Sequence, residues 1–291
     1  MASLVGKGLR TRVKETLRWL ANMPMLAPHY DDVFAYQELN AHFQRVMRNK
    51  ECRGRPHYTC GVLNCVHLAK SLRVDRVSVI EFAVAPRHSD LLSLGAVAQL
   101  VGPLYGVRVD VFGFRELDLP KPIDHRDVPN MYPSEGFSRT ELSAPEKRAP
   151  GVNLFLGPIR DTLPPFIASN PARVGFIAFD VDLYSSAVEA LQLFNADQDL
   201  LLPRVQCYFD DIIGFTYASF NGSRLAVKEF NEQHALRKIS PVYGLRYFLP
   251  YGERFRSWPE QMYLAHILDH AQYGQHDRLV NWRKLGLLEE S

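Results

Sequence analysis

Three aspartates stand at the ends of two apolar runs. "FIAFDVDLYSS" places Asp180 directly after one run, and "CYFDDIIGF" places Asp210 and Asp211 after the other. Short, bounded apolar runs of this kind read as buried strands. Neighbouring strands lie roughly 4.8 Å apart, so three carboxylates would converge at one sheet edge. Such a cluster is costly unless it is protonated, paired or neutralised by a cation. Oxygen donors without His or Cys in either segment suit Mg²⁺, with Mn²⁺ or Ca²⁺ as alternatives. The competing reading is structural: an Asp after a strand often caps the next helix, and Asp182 ahead of "LYSS" is placed to do so.

A second stretch has the form of a nucleotide-binding turn and departs from it. "VIEFAVAPRHSD" carries Glu81 inside an apolar strand and then Pro86-Arg87-His88 where such a strand usually turns through glycine. Ser89 and Asp90 could cap the helix that follows and leave its N-terminus open to a carboxylate.

The elements needed to position these residues are legible as an alternation of helices and strands. Strands are expected in "RVSVIEFAVA", "VRVDVFGF", "VNLFLG", "VGFIAFD" and "VQCYFDD". Helices are expected in "GVLNCVHLAKSL", in "DLLSLGAVAQLVGPLYG" with a stop at Gly102-Pro103, and in "RLAVKEFNEQHA". A further helix, "YSSAVEALQLFNADQDLLLP", would start near Ser185 or Ser186 with Glu189 as its capping-box partner. Strands apolar on both faces and separated by helices imply a parallel sheet covered on both sides. "KISPVYGLRYFLP" and "EQMYLAHILDH" follow closely and read as an antiparallel pair closing one edge. The expected fold class is therefore α/β, a doubly wound sheet, mostly parallel.

Residues 115–150, "RELDLPKPIDHRDVPNMYPSEGFSRTELSAPEKRAP", are proline-rich and irregular. A connection of that length is either functional or disordered, and it leaves from the carboxyl end of a strand, where open α/β sheets bind ligands. A substrate-covering lid and a passive insertion both fit. The expected organisation is an N-terminal helical segment over residues 1–60, an α/β domain over 61–275 and a C-terminal tail over 276–291.

The 291 residues, 46% hydrophobic and 23% charged, supply ample core, and a formal charge of +2 offers no nucleic-acid footprint. Cys52, Cys60, Cys65 and Cys207 lack zinc-site spacing and read as reduced thiols. No apolar run is long enough to span a bilayer. "LVGKGLRTRVKETLRWLA" is basic with Val13, Leu17 and Leu20 at helical spacing, but Glu15 interrupts it and a packing helix is expected. "NGS" at Asn221 reads as a turn, no leader is read at the start, and the expected location is cytoplasmic.

"FDVDLYSSAVEAL", then "YFDDIIGF", then "RLAVKEFNEQH" resemble the macrocin O-methyltransferase group of class I S-adenosylmethionine-dependent enzymes. "VIEFAVA" resembles the group's first motif, "VRVDVFGF" its second strand and "DTLPPF" its third-strand loop, so the likeness spans roughly residues 60–270. It implies a seven-stranded Rossmann-like methyltransferase fold with a reversed final strand. It implies Mg²⁺ on Asp180, Asp210 and Asp211, and S-adenosylmethionine against Glu81, Ala83, Arg87, Ser89, Glu116, Asp161 and Asp180. The departures fall in the cofactor half: no glycine in the first loop, Arg115 with Glu116 one place later where an acid directly follows "GF", and Pro158 after Gly157. Weak cofactor binding is expected, because Arg87 and Arg115 would repel a sulfonium.

The expected function is O-methylation of a small-molecule hydroxyl, the metal activating and orienting it. His88, His125 and His234 are general-base candidates by region, and a homo-oligomer is left open. Two alternatives stand beside it: a non-catalytic or repurposed member of the fold, and another metal-dependent enzyme on the same sheet, since fold alone does not decide function.

Overall fold

The apolar runs form the strands they imply. A computed structural model describes residues 30–82, 89–116, 123–127, 151–214 and 217–274. Seven strands, β1 (Arg76–Phe82), β2 (Arg108–Arg115), β3 (Val152–Leu156), β4 (Arg173–Phe179), β5 (Leu201–Phe209), β6 (Arg237–Pro241) and β7 (Met262–Ile267), make one sheet ordered β3-β2-β1-β4-β5-β7-β6. All pairings from β3 to β5 are parallel, and β7 runs antiparallel to both β5 and β6. This is the doubly wound, mostly parallel sheet with a reversed final strand that the sequence implies.

Six of the described helices cover the two faces. On one side lie α1 (Tyr30–Val46), α2 (Pro56–Ser71) and α3 (Ser89–Tyr105). On the other lie α4 (Ile159–Ala168), α5 (Tyr184–Leu191) and α6 (Gly222–Gln233). Side chains alternate across a strand, and the core divides accordingly. Val77 and Val79 of β1 join the cluster under α1–α3, whereas Ile80 and Phe82 join the cluster under α4–α6. In that second cluster the strands end on a row of phenylalanines in register: Phe114, Phe82, Phe179 and Phe209. Their ring centroids are 4.8, 5.7 and 4.5 Å apart along the row.

Several boundaries differ from expectation for physical reasons. The helix expected from Gly61 begins at Pro56, whose fixed φ and missing N–H suit a first helical turn, so α2 crosses the boundary expected at residue 60. The helix expected to stop at Gly102-Pro103 runs through Pro103 to Tyr105. Gly102 permits this: a Cβ there would lie 2.6 Å from the Val107 carbonyl oxygen, which packs on the helix. The helix expected across residues 184–203 stops at Leu191, passes into short 3₁₀ turns and yields Leu201 and Leu202 to β5. Glu189 closes no capping box; it accepts the Arg160 N–H at 3.1 Å. Asn221, expected in a turn, is the N-cap of α6 and accepts the Ala218 N–H.

All four cysteines are free and buried. No described helix is long and apolar enough to cross a membrane. The N-terminal basic stretch, the loop at 83–88, most of the 115–150 connection and the tail over 276–291 lie outside the described residues.

Gly61 is where α2 meets β4. A Cβ at this position would fall 2.2 Å from the Phe176 ring, so Gly61→Ala must displace the helix or the ring. Overpacking of this kind costs about 1–3 kcal/mol. Denaturant unfolding should show a loss in that range, and an unchanged midpoint would contradict this packing.

Candidate functional site

The strand order reverses beside β1. From β1 the chain winds outward through β2 and β3, then returns to β4 and winds the other way, opening a crevice outside the carboxyl ends of β1 and β4. The backbone ladder continues past the strands at this point. The Asp180 N–H donates to the Phe82 carbonyl at 3.3 Å, and the Asp210 N–H donates to the Phe179 carbonyl at 3.0 Å. Asp180 and Asp210 are thereby side by side, with Asp211 following, as the two motifs imply. The Tyr208 hydroxyl donates to Asp210 Oδ1 at 2.6 Å and the Tyr217 hydroxyl to Asp211 Oδ1 at 2.7 Å. The Gln261 amide donates to the Asp210 carbonyl at 2.5 Å.

Crowding shows in the acidities. Burial, then the charges of Asp210, Asp182 and Asp211, pushes Asp180 up to about 8. Asp182, on the exposed rim, is raised by desolvation and by a hydrogen bond shared with Asp211. Asp182 therefore belongs to the cluster and does not cap α5. That cap comes from Asp127 of the long connection, buried to 1% exposure: its Oδ1 accepts the Ser185 N–H at 2.7 Å and its Oδ2 accepts the Ile123 N–H at 2.8 Å. The next residue back, Arg126, lies over the Tyr184 ring, and its carbonyl accepts the Gly222 N–H at 2.8 Å. The only described piece of the connection beyond Glu116 is thus fastened to the first turns of α5 and α6.

Glu81 lies one residue before the end of β1, facing α2 and α3, with no exposed surface. One oxygen each from Glu81, Asp90 and Asp180 lie within 4.8 Å of one another, and among the described residues this is the acidic triple that closes so far. Asp210 and Asp211 share the edge without joining it. Burial, then Asp180 and Asp90, holds Glu81 well above the carboxylate range, while Arg55 and Tyr58 act the other way. No hydrogen bond of normal geometry reaches either Glu81 oxygen among the described residues. Asp90, in the first turn of α3, accepts from Arg55 Nε at 2.7 Å and forms an ion pair with Arg55 Nη2. His57 stacks on Tyr208 with centroids 3.8 Å apart, and burial followed by the Arg55 charge lowers it to about 3.

The other expected cofactor residues divide. Glu116 is raised by burial and by Glu189, and accepts the Ile159 N–H at the start of α4. Asp161, in the first turn of α4, is exposed and lies 4.0 Å from Arg160. Both sit at the β3–α4 junction. Arg115 is buried at the end of β2, and its carbonyl accepts the Gly157 N–H at 2.9 Å. Gly157 has φ +131°, so this turn does use the freedom that only glycine has. Ala83, Pro86, Arg87 and His88 lie outside the described residues, as does the side chain of Ser89. His234 is bonded to the Phe230 carbonyl and to Asn195 at the C-terminal end of α6, which removes it as a general base; His125 is exposed on the fastened segment.

Sequence reasoning missed Arg55, His57, Tyr58 and Asp127. "RPHYTC" concentrates titratable and aromatic types before a helix, a signal that was present. Asp127 offered none. Oxygen donors crowded at this density fit a hard cation. The first loop, which would meet the rest of a nucleoside cofactor, lies outside the described residues.

No protein-family model matches the chain, and no curated protein matches it in sequence. Among solved structures, the calicheamicin methyltransferase CalS11 is similar at 17% identity and TM-score 0.44, over 75% of this chain and 91% of that one. The O-methyltransferase NovP is similar at 15% and 0.39, over 61% and 72%. The plantazolicin methyltransferase BpumL, solved with SAH, is similar at 11% and 0.35, over 88% and 96%.

Two outcomes follow. Asp180 binds its proton more tightly folded than unfolded, so the folded state holds more protons between about pH 4 and 8 and stability falls as pH rises through that window. His57 opposes this only below its ordinary 6.5, since it stays neutral when folded. Melting in EDTA should therefore drop from pH 6.5 to 8; a flat profile would contradict the crowding. Asp127→Ala should cost about 0.5–2 kcal/mol as a lost cap and speed proteolysis next to residues 123–127; unchanged cleavage would contradict the fastening.

Proposed function

We propose that the chain is an S-adenosylmethionine-dependent O-methyltransferase acting on a small-molecule hydroxyl, with a divalent cation on Asp180, Asp210 and Asp211. The observation that carries this reading is the side-by-side placement of Asp180 and Asp210 at the carboxyl ends of β4 and β5, beside the reversal of a sheet ordered β3-β2-β1-β4-β5-β7-β6. The motif resemblance around those residues supports it independently.

When bound, the cofactor supplies the methyl group and the ion supplies the charge that makes a hydroxyl a better nucleophile. The chain's own residues do the positioning. Tyr208 and Tyr217 each fix one oxygen of Asp210 and Asp211, so these carboxylates present their remaining lone pairs in set directions. Tyr58 favours the ionised form of Glu81, and His57, edge-on to Tyr58 and stacked on Tyr208, joins the β1 acid to the β5 edge. His125, exposed on the segment that Asp127 fastens to α5, is the candidate acceptor for the proton leaving the hydroxyl. Holding reactants in line supplies most of the acceleration in a site without a covalent nucleophile.

Calorimetry with S-adenosylmethionine and its demethylated product, with and without Mg²⁺, tests this. Asp210→Ala should abolish methyl transfer and the Mg²⁺ binding that supports it while the melting curve stays cooperative. No affinity for either nucleoside in the wild type would contradict the reading, and equal Mg²⁺ affinity in the variant would remove the ion from Asp210.

A further inference from the structure

The carboxylates of β4 and β5 leave Glu81 unexplained. A fully buried carboxyl that no hydrogen bond of normal geometry reaches among the described residues, only Arg55 and Tyr58 favouring its ionised form from nearby, is a costly feature, because a buried polar group so poorly partnered forfeits its hydration with little return. Its oxygen is directed to the place where Asp90 and Asp180 also present theirs, all three within 4.8 Å. Elsewhere at this edge the acids have hydroxyl donors: Tyr208 for Asp210, Tyr217 for Asp211. In the triple, the described counter-charge is Arg55, held on Asp90 Oδ1.

We propose that Glu81, Asp90 and Asp180 form a separate seat for a hard divalent cation in the crevice between β1 and β4, with Arg55 as a positioning residue. Three oxygens within 4.8 Å of one another are close enough to share one hard ion. The ligands come from three elements: a strand interior, a helix first turn and a strand end. Arg55 turns Asp90 inward from the segment just before α2, which ties that segment to the seat.

This seat shares Asp180 with the proposed methyltransferase site but does not rest on that reading. It would put a fixed cation in the cleft where the positive end of S-adenosylmethionine would lie, so the ion and that cofactor would compete.

The test uses the full chain stripped with EDTA, Mn²⁺ as the probe read by electron paramagnetic resonance, and crystals grown with Mn²⁺ for anomalous diffraction. The seat predicts an anomalous peak enclosed by Glu81, Asp90 and Asp180. It predicts at least a tenfold loss of Mn²⁺ affinity at this seat in Glu81→Gln, and an anomalous peak among the three carboxylates that persists in Asp210→Asn. Cooperative melting in EDTA verifies that Glu81→Gln is folded; if it is not, Asp90→Asn takes its place, and if both are unfolded the wild-type anomalous peak decides. A wild type that binds no Mn²⁺, a folded Glu81→Gln that binds it as well as wild type, or an ion found on Asp210 and Asp211 with none among Glu81, Asp90 and Asp180 overturns the seat. The last of these leaves the β4–β5 metal reading standing, and the first removes both.

Discussion

The register of four phenylalanines across four strands decides what leaves this sheet edge. Phe114, Phe82, Phe179 and Phe209 are level with one another and packed ring to ring under α4–α6. Because alternate residues face opposite sides, the register places Asp180 and Asp210 together just past the row and sends Glu81, one residue before it, toward α2 and α3. A one-residue slip of β4 against β1 would reverse every side chain on the strand and part Asp180 from Glu81. Burial of large aromatic rings thus holds in place a group of acids that repel one another.

That repulsion is the price of the site. Asp180 and Glu81 are both displaced toward their protonated forms, by burial first and by neighbouring acids second. The molecule offsets part of this with the Arg55 guanidinium and the hydroxyls of Tyr208 and Tyr217. What those groups leave over is an affinity for positive charge, concentrated where the fold makes its crevice. The connection after β2 reaches the same end of the sheet, fastened there through Asp127 and Arg126 to the helices that follow β4 and β5.

Much of this was legible in the residues. The strands announced themselves by unbroken apolar runs, and the pairing of Asp180 with Asp210 followed from two such runs ending in acids. The failures have specific causes. Spacing makes Glu189 the capping-box partner of Ser185 or Ser186, whereas the cap is Asp127, distant in sequence and supplied by tertiary structure. Pro103 was read as a stop, but the last turn of a helix tolerates it when Gly102 leaves room for the chain beyond. Arg55 to Tyr58 were placed outside the domain because no periodicity marks a segment whose role is to face a site from the side.

Proton release on cation binding tests the central claim most directly, namely that this crevice is an acidic site whose charge is balanced by a bound cation. In weakly buffered, EDTA-treated protein at pH 7, added Mg²⁺ or Ca²⁺ should liberate protons, because the acids hold them until the ion arrives. Saturating release of at least one proton per chain, diminished when Asp180 is changed to Asn, is the predicted result. Cation binding without release, or release unaltered in that variant, would contradict it.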